Sequence, residues 1–232
     1  DSLVQAINTL GGDAENLEQA KREPGDVVAY LELHIEQGKV LEREGYPVGV
    51  VTAVAGPYRG SVTITGQADH AGATPMDDRK DALPAAAELI LAVEKIAKTP
   101  EFSPDAVGTT GWIQNHPNMV NVIPGEVTVR MEFRSTELAA LENMKTYFES
   151  ELGLIAKRRG LSATFEWQHI EAPVKIPDDL QDIVARACKQ LDLPVFHLPS
   201  RASHDAARLA HIMPVGMVFI PCKDGKSHTP DE

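Results

Sequence analysis

Cysteine is scarce. Cys188 and Cys222 are the only two in 232 residues. They form no Cys-x-x-Cys pair, which excludes a cysteine-rich zinc site, and no spacing asks for a disulfide. So few thiols suit a reducing cytoplasm, where we expect the protein to work. Long apolar runs are missing as well, and none reaches the length of a membrane span. The opening Asp1-Ser2-Leu3-Val4 has neither the basic segment nor the apolar core of a secretory signal. It also lacks an initiator Met, so the sequence reads as part of a longer chain. Positive charge is in deficit: 22 Lys and Arg stand against 34 Asp and Glu, a formal net charge of −12. That disfavours nucleic acid as a partner, because binding a phosphate backbone needs clustered cations. Arg79-Lys80 and Lys157-Arg158-Arg159 read as solvated helix-end charges. The hydrophobic share, 43%, is that of an ordinary globular chain with a sizeable core.

Periodicity supplies the organisation. Residues 1–24 read as a helix, a break at Gly11-Gly12, and a polar helix ending near Pro24-Gly25. The stretch 27–35 is apolar and partly alternating, with Leu31-Glu32-Leu33-His34 compatible with strand or helix end. Residues 36–44 look helical, stopped by Gly45 and Pro47, and 48–55 is a β-branched run expected as a buried strand. A regular order follows. Residues 61–65 alternate as a strand. Residues 81–98 form a helix with Asp81 as N-cap and Pro84 in its first turn, and Leu83, Ala87, Ile90, Leu91 and Ile96 are expected on its buried face. Strands are expected at 106–113 and 126–134, the second placing Arg130, Glu132 and Arg134 on one face. A long helix over 136–159 carries the stripe Leu138, Leu141, Met144, Phe148, Leu152 and Ile155, and Gly160 stops it. Residues 163–167 read as a closing strand. The order β-α-β-β-α-β is that of a ferredoxin-like unit. After it come a helix over 178–190, a short strand near Val195-Phe196, a helix over 204–210 and a strand over 215–220. The expected fold class is therefore α/β: an α/β domain in two parts, 1–56 and 175–232, with a ferredoxin-like unit, 57–174, inserted between them.

Four histidines sit in small, polar, glycine- or proline-marked contexts: His34 in Leu33-His34-Ile35-Glu36-Gln37-Gly38, His70 in Asp69-His70-Ala71-Gly72-Ala73-Thr74-Pro75, His204 in Ser203-His204-Asp205-Ala206, and His228 in Ser227-His228-Thr229-Pro230. Imidazole is the commonest metal ligand and the usual acid or base near neutral pH, so a hydrolytic metal site is the first hypothesis. His34 reads either as a ligand at a strand end or as a hydrogen-bonded core histidine. His70 either donates to a developing oxyanion or stabilises its loop through Asp69 or Thr74. Asn121, a polar side chain within Val120-Asn121-Val122-Ile123-Pro124-Gly125, and Arg134 are candidate substrate anchors. A guanidinium can clamp a carboxylate in two-pronged fashion, and the alternative for Arg134 is a surface salt bridge. Asp205 could cap a helix, and His228 follows a strand, the position ligands favour in α/β folds.

Taken in order, Glu32-Leu33-His34-Ile35-Glu36-Gln37-Gly38, Ala68-Asp69-His70-Ala71-Gly72-Ala73-Thr74-Pro75-Met76, Asn118-Met119-Val120-Asn121-Val122-Ile123-Pro124-Gly125, Phe133-Arg134, Ser203-His204-Asp205-Ala206 and Ser227-His228-Thr229-Pro230 resemble the hydantoinase/carbamoylase family of dinuclear-metal amidohydrolases. That family lies within the aminoacylase and carboxypeptidase group of zinc exopeptidases. The resemblance implies two divalent metal ions (Zn, Mn, Co or Ni) that activate a water for attack on a linear carbamoyl or ureido C–N bond, as in N-carbamoyl-L-amino acids or allantoate. It implies that His34 ligates one metal and His228 the other. It gives His70 the polarising of the scissile carbonyl, across a homodimer formed through the ferredoxin-like lid. Gln37, Asn121, Arg134 and His204 are implied to hold the substrate.

Two departures stand against the family pattern. The bridging Asp, a further His, a metal-binding Glu and the general-base Glu are implied to lie before Asp1, since no His-x-Asp or Glu-Glu element occurs here. Ser200-Arg201-Ala202-Ser203-His204-Asp205-Ala206 also has Arg201 and Ser203 where the family has glycines, which changes the pocket. Alternatives to the amidohydrolase are a non-catalytic dimerisation fragment and a peptidase or N-acyl amino acid hydrolase.

Overall fold

The computed structural model describes residues 2–99 and 101–229, so Pro230 of the last histidine segment lies outside the described residues. Helix α1 (Leu3–Thr9) is followed by a 3-10 stretch, Ala14–Ala20, where a second α-helix was expected. Neither element buries a residue, so no apolar face holds that segment in regular helical form.

Two sheets follow. A mixed five-stranded sheet contains β1 (Tyr30–Ile35), β2 (Val48–Val54), β7 (Val174–Lys175), β8 (Val195–Ser200) and β9 (Val215–Ile220). Strand β1 pairs in parallel with β9, β9 antiparallel with β2, and β2 in parallel with β8. Alternation thus settles β1 as a strand, with Glu32 and His34 on one face and the exposed Leu31 and Leu33 on the other. Helices α2 (Val40–Glu44) and α6 (Asp205–Leu209) cover one side of the sheet, where Leu41, Val51, Leu198, Ala206, Met217 and Phe219 form the core. Helix α5 (Asp178–Gln190) covers the other side with Val184 and Cys188 against Val50. Both cysteines are free and buried.

The second sheet is antiparallel, in the order β4 (Val107–His116), β5 (Glu126–Ser135), β3 (Gly56–Thr65), β6 (Ser162–Ile170). Helices α3 (Ala82–Ala97) and α4 (Leu138–Arg159) pack on it. Its strands are longer than the apolar runs suggested, because β3 is already paired from Gly56 and pairing continues through His116 in β4 and Ile170 in β6. Asp81 caps α3 by accepting from Leu83 N–H. The buried face of α3 is Ala82, Ala85, Ala86, Leu89, Ala92, Val93 and Ile96, whereas Leu91 is 64% exposed and Ala87 is also exposed. The expected face was weighted to large residues, but a helix wedged between a sheet and α4 approaches closely through alanines. In α4 the expected stripe is buried apart from Leu138 in its first turn, and Gly160 ends the helix at φ 60°. The chain passes between sheets at residues 55–56, where Gly56 already pairs with Ser135, and after Ile170, where Val174 pairs with Val54. No described helix is long and apolar enough to cross a membrane.

Candidate metal centre and the residues around it

Strand alternation puts the Glu32 and His34 side chains side by side, and the start of α6 brings His204 onto the same face. Ligand atoms of Glu32, His34 and His204 all lie within 4.8 Å of one another. The His34 and His204 rings meet edge-on at 4.7 Å. Glu32 is held in place because its Oε2 accepts from Ala206 N–H at 2.7 Å.

The hydrogen bonds say which nitrogens are available. His34 Nδ1 lies 2.8 Å from the Ile35 carbonyl. A carbonyl only accepts, so Nδ1 carries the proton and Nε2 keeps its lone pair, the arrangement that orients a ligating imidazole. His204 Nε2 contacts Ser200 Oγ at 2.6 Å. When the Ser200 hydroxyl donates to the Ala202 carbonyl, 3.2 Å away, the imidazole donates through Nε2 and Nδ1 presents a lone pair. That Nδ1 is buried, without a hydrogen bond, and 3.5 Å from Glu32 Oε1. Burial, reinforced by His34, pushes the His204 pKa down to about 4, although Asp205 pulls the other way. A neutral imidazole facing a carboxylate with no proton between them is short of a positive partner. The donor set, two imidazoles and one carboxylate, suits a divalent transition metal or zinc.

The other expected residues form three further groups. Gln37 Nε2 donates to Ser227 Oγ at 2.7 Å and lies 3.5 Å from His228 Nε2. Both Gln37 and His228 adopt left-handed backbone, φ 57° and 58°. They leave β1 and β9 at the same sheet end, since Ile35 registers with Ile220. His70 sits at the tip of the antiparallel unit, bridged to Val122. Gly72 and Ala73 N–H both donate to its Nδ1 at 3.1 Å, so the neutral ring carries its proton on Nε2, directed away from its own loop. Thr74 contributes only through the His70 carbonyl, and Asp69 binds Gln67 instead. Asn121 is exposed beside it, its carbonyl accepting from Ala71 N–H.

Arg134 donates to both oxygens of Glu132, at 2.9 and 3.1 Å, and its Nη1 donates to the Arg201 carbonyl at 2.9 Å. The salt bridge is therefore what occupies its fork. Glu132, which burial alone would make a weaker acid, is instead held below the usual carboxylate range by Arg134 and Arg59. Among the described residues, no hydrogen bond, ion pair or ring contact joins His70 or Asn121 to the Glu32–His34–His204 cluster.

Glu32, Ser200 and Ser227 all lie inside the motif segments but had no expected role. The Glu32-x-His34 spacing on an alternating strand was the available signal. Glu36 caps α2, its two oxygens accepting from Val40 and Leu41 N–H at 2.8 and 2.7 Å.

Two sheets, with a carboxylate and two imidazoles converging on one face of the mixed sheet, define an α/β protein with a candidate cation site. The chain belongs to peptidase family M20/M25/M40, whose pattern matches residues 8–232. It is 42% identical over 231 residues to an N-carbamoyl-L-amino acid amidohydrolase of Geobacillus stearothermophilus, covering 100% of this chain and 56% of that protein. It is 39% identical over 235 residues to a ureidoglycolate hydrolase of Arabidopsis thaliana, covering 100% and 49%. Among solved structures, a hydantoinase/carbamoylase family amidase from Burkholderia multivorans matches at 38% identity and TM-score 0.82, covering 88% of this chain and 49% of that one. The chain spans about half the length of these relatives.

Proposed function

We propose that the complete protein is a metal-dependent amidohydrolase of the cytoplasm that cleaves the C–N bond of a linear carbamoyl or ureido acid. The observation that carries this reading is the orphaned His204 Nδ1 facing Glu32 beside the free Nε2 of His34. The matched relatives, an N-carbamoyl-L-amino acid amidohydrolase and a ureidoglycolate hydrolase, supply the class of bond. Glu32, His34 and His204 would hold a divalent cation, with His228 serving a second one. Bound there, such a cation supplies Lewis acidity and lowers the pKa of water.

The protein's own residues perform the rest. Asn121 and Arg134 hold the substrate carboxylate, Arg134 through Nη1 or by exchanging Glu132 for substrate, and Gln37 lines the substrate pocket. His70 presents Nε2–H to the carbonyl oxygen as negative charge develops on it. The antiparallel unit, residues 56–170, serves as a ferredoxin-like lid that pairs with a second copy, so that His70 acts from the neighbouring subunit.

The test is a substrate panel on the full-length protein: N-carbamoyl-L-amino acids, allantoate, ureidoglycolate and N-acyl amino acids. Turnover of one or more ureido compounds, lost on chelation and restored by Zn²⁺ or Mn²⁺, is the expected result. Cleavage of N-acyl amino acids or peptides alone would overturn the substrate class in favour of an acylase or peptidase.

A further inference from the structure

A cavity of about 450 Å³ lies between the start of α2 and the end of β8, and Gln37, Arg201 and Ala202 all line it. Its charge is unusual for so acidic a chain. Lys39, Arg43, His197 and Arg201 face it, and Glu36 is the single acid in its wall. Glu36 is turned to the start of α2, where both its oxygens accept backbone N–H groups. Arg43 is paired with Glu44 at 2.9 Å. Lys39 and Arg201 form no ion pair among the described residues. The stem of Lys39 is laid over Gly225, where a Cβ would come within 2.6 Å of its Cγ. Arg201 is tethered through Nε to the Asp105 carbonyl at 3.2 Å, which leaves its terminal nitrogens uncommitted. Arg201 also ties the cavity to the neighbouring groups: its carbonyl accepts from Arg134, and His204 follows three residues later.

The geometry points to this cavity as a subsite for a second carboxylate, so that the preferred substrate is a dianionic ureido acid such as an N-carbamoyl derivative of an acidic amino acid. The inference rests on the amidohydrolase reading. The first carboxylate goes to Asn121 and Arg134, and the side-chain carboxylate to Lys39 and Arg201. Lys39 and Arg201, paired with no carboxylate among the described residues, line a concavity large enough for a short dicarboxylate and attract an anion. They gain nothing from an apolar side chain, whose burial would cost them solvation. A guanidinium and an ammonium together give both directional and point-charge recognition.

Steady-state kinetics on the full-length protein decide it. The ratio of kcat/KM for N-carbamoyl-L-aspartate and N-carbamoyl-L-glutamate over N-carbamoyl-L-alanine is expected to be about tenfold or more, equivalent to about 1.4 kcal/mol. Lys39→Gln and Arg201→Gln should each lower that ratio several-fold through KM on the acidic substrates, while turnover of the alanine derivative by Lys39→Gln stays unchanged. A native ratio near or below one, or a ratio that survives both substitutions, overturns the subsite. If no ureido compound is turned over, the amidohydrolase reading itself has failed. Calorimetric binding of succinate against acetate then judges the subsite alone: tighter succinate binding that Lys39→Gln abolishes supports it, and equal binding refutes it.

Discussion

The buried Nδ1 of His204 is the residue-scale fact with the largest consequence. An unpartnered buried polar atom costs free energy, and this one faces a carboxylate across 3.5 Å. A divalent cation between them removes that cost, so metal should stabilise the folded chain. At a hundredfold excess of free Zn²⁺ over Kd the gain is about 2.7 kcal/mol, read as a rise in the thermal midpoint. Glu32→Gln keeps the shape and removes the charge, and it should abolish most of that rise. A native midpoint indifferent to Zn²⁺ and Mn²⁺ would dismiss the cluster. His70 makes a contrasting case. Its Nδ1 is consumed by Gly72 and Ala73, so the ring is fixed and its Nε2–H aimed. In the full-length protein, His70→Ala should lower kcat about a hundredfold or more, the usual effect of losing one oxyanion donor, with metal content unchanged. Loss of metal would show that the role is wrong.

At the scale of elements, what could be read in the sequence depended on how each segment earns its structure. Helix α4 was legible because Leu141, Met144, Phe148, Leu152 and Ile155 recur at helical spacing and all are buried. Phe148 touches the rings of Phe133, Phe165 and Trp167, so Phe148→Ala should cost about 3–5 kcal/mol, measured by denaturant unfolding. A cost below about 1 kcal/mol would mean that the ring is not the centre of this core. Helix α3 was legible in extent but not in facing, because alanines bury against the sheet without announcing it. Strand β7 has two residues and no pattern; it exists only because Val174 and Lys175 fall beside Val54 and Ala53. The site shows the same division. The histidine motifs could be recognised locally. The pairing of His204 with Glu32 joins residues 172 positions apart, and it follows from β1 lying beside β9 with α6 folded over them, which no local pattern encodes.

At the scale of the whole molecule, polar bridges join the two sheets. Arg134 donates to the Arg201 carbonyl, Arg201 to the Asp105 carbonyl, and Arg208 pairs with Glu171 at 2.9 Å. The Asp105 carboxylate in turn accepts from the Ser103 and Ser135 hydroxyls and from Thr136 N–H. Burial raises the pKa of Asp105, but these bonds outweigh it and leave the group more acidic than usual. Glu132 is shifted the same way. A carboxyl group whose pKa is lower folded than unfolded adds stability above its unfolded value, roughly 4, and loses it as pH falls through the folded value. Stability should therefore drop below about pH 4, and Asp105→Asn with Glu132→Gln should flatten that limb of the profile; an unaltered profile would exclude both groups. The proposed assembly adds a constraint that a single chain cannot show. Among the described residues, His70 at the tip of the antiparallel unit makes no contact with the Glu32–His34–His204 cluster, which is the arrangement expected if it serves a neighbour. Full-length His70→Ala and His204→Ala proteins are each expected to keep about a hundredth of native activity or less when alone. Mixed under subunit exchange, they should form dimers in which one site has both an intact cluster and an intact His70 from the partner. Up to about a quarter of native activity should return, because random exchange yields half heterodimers with one good site in two. Absence of any recovery, with exchange verified by mass, would place the whole site within one chain.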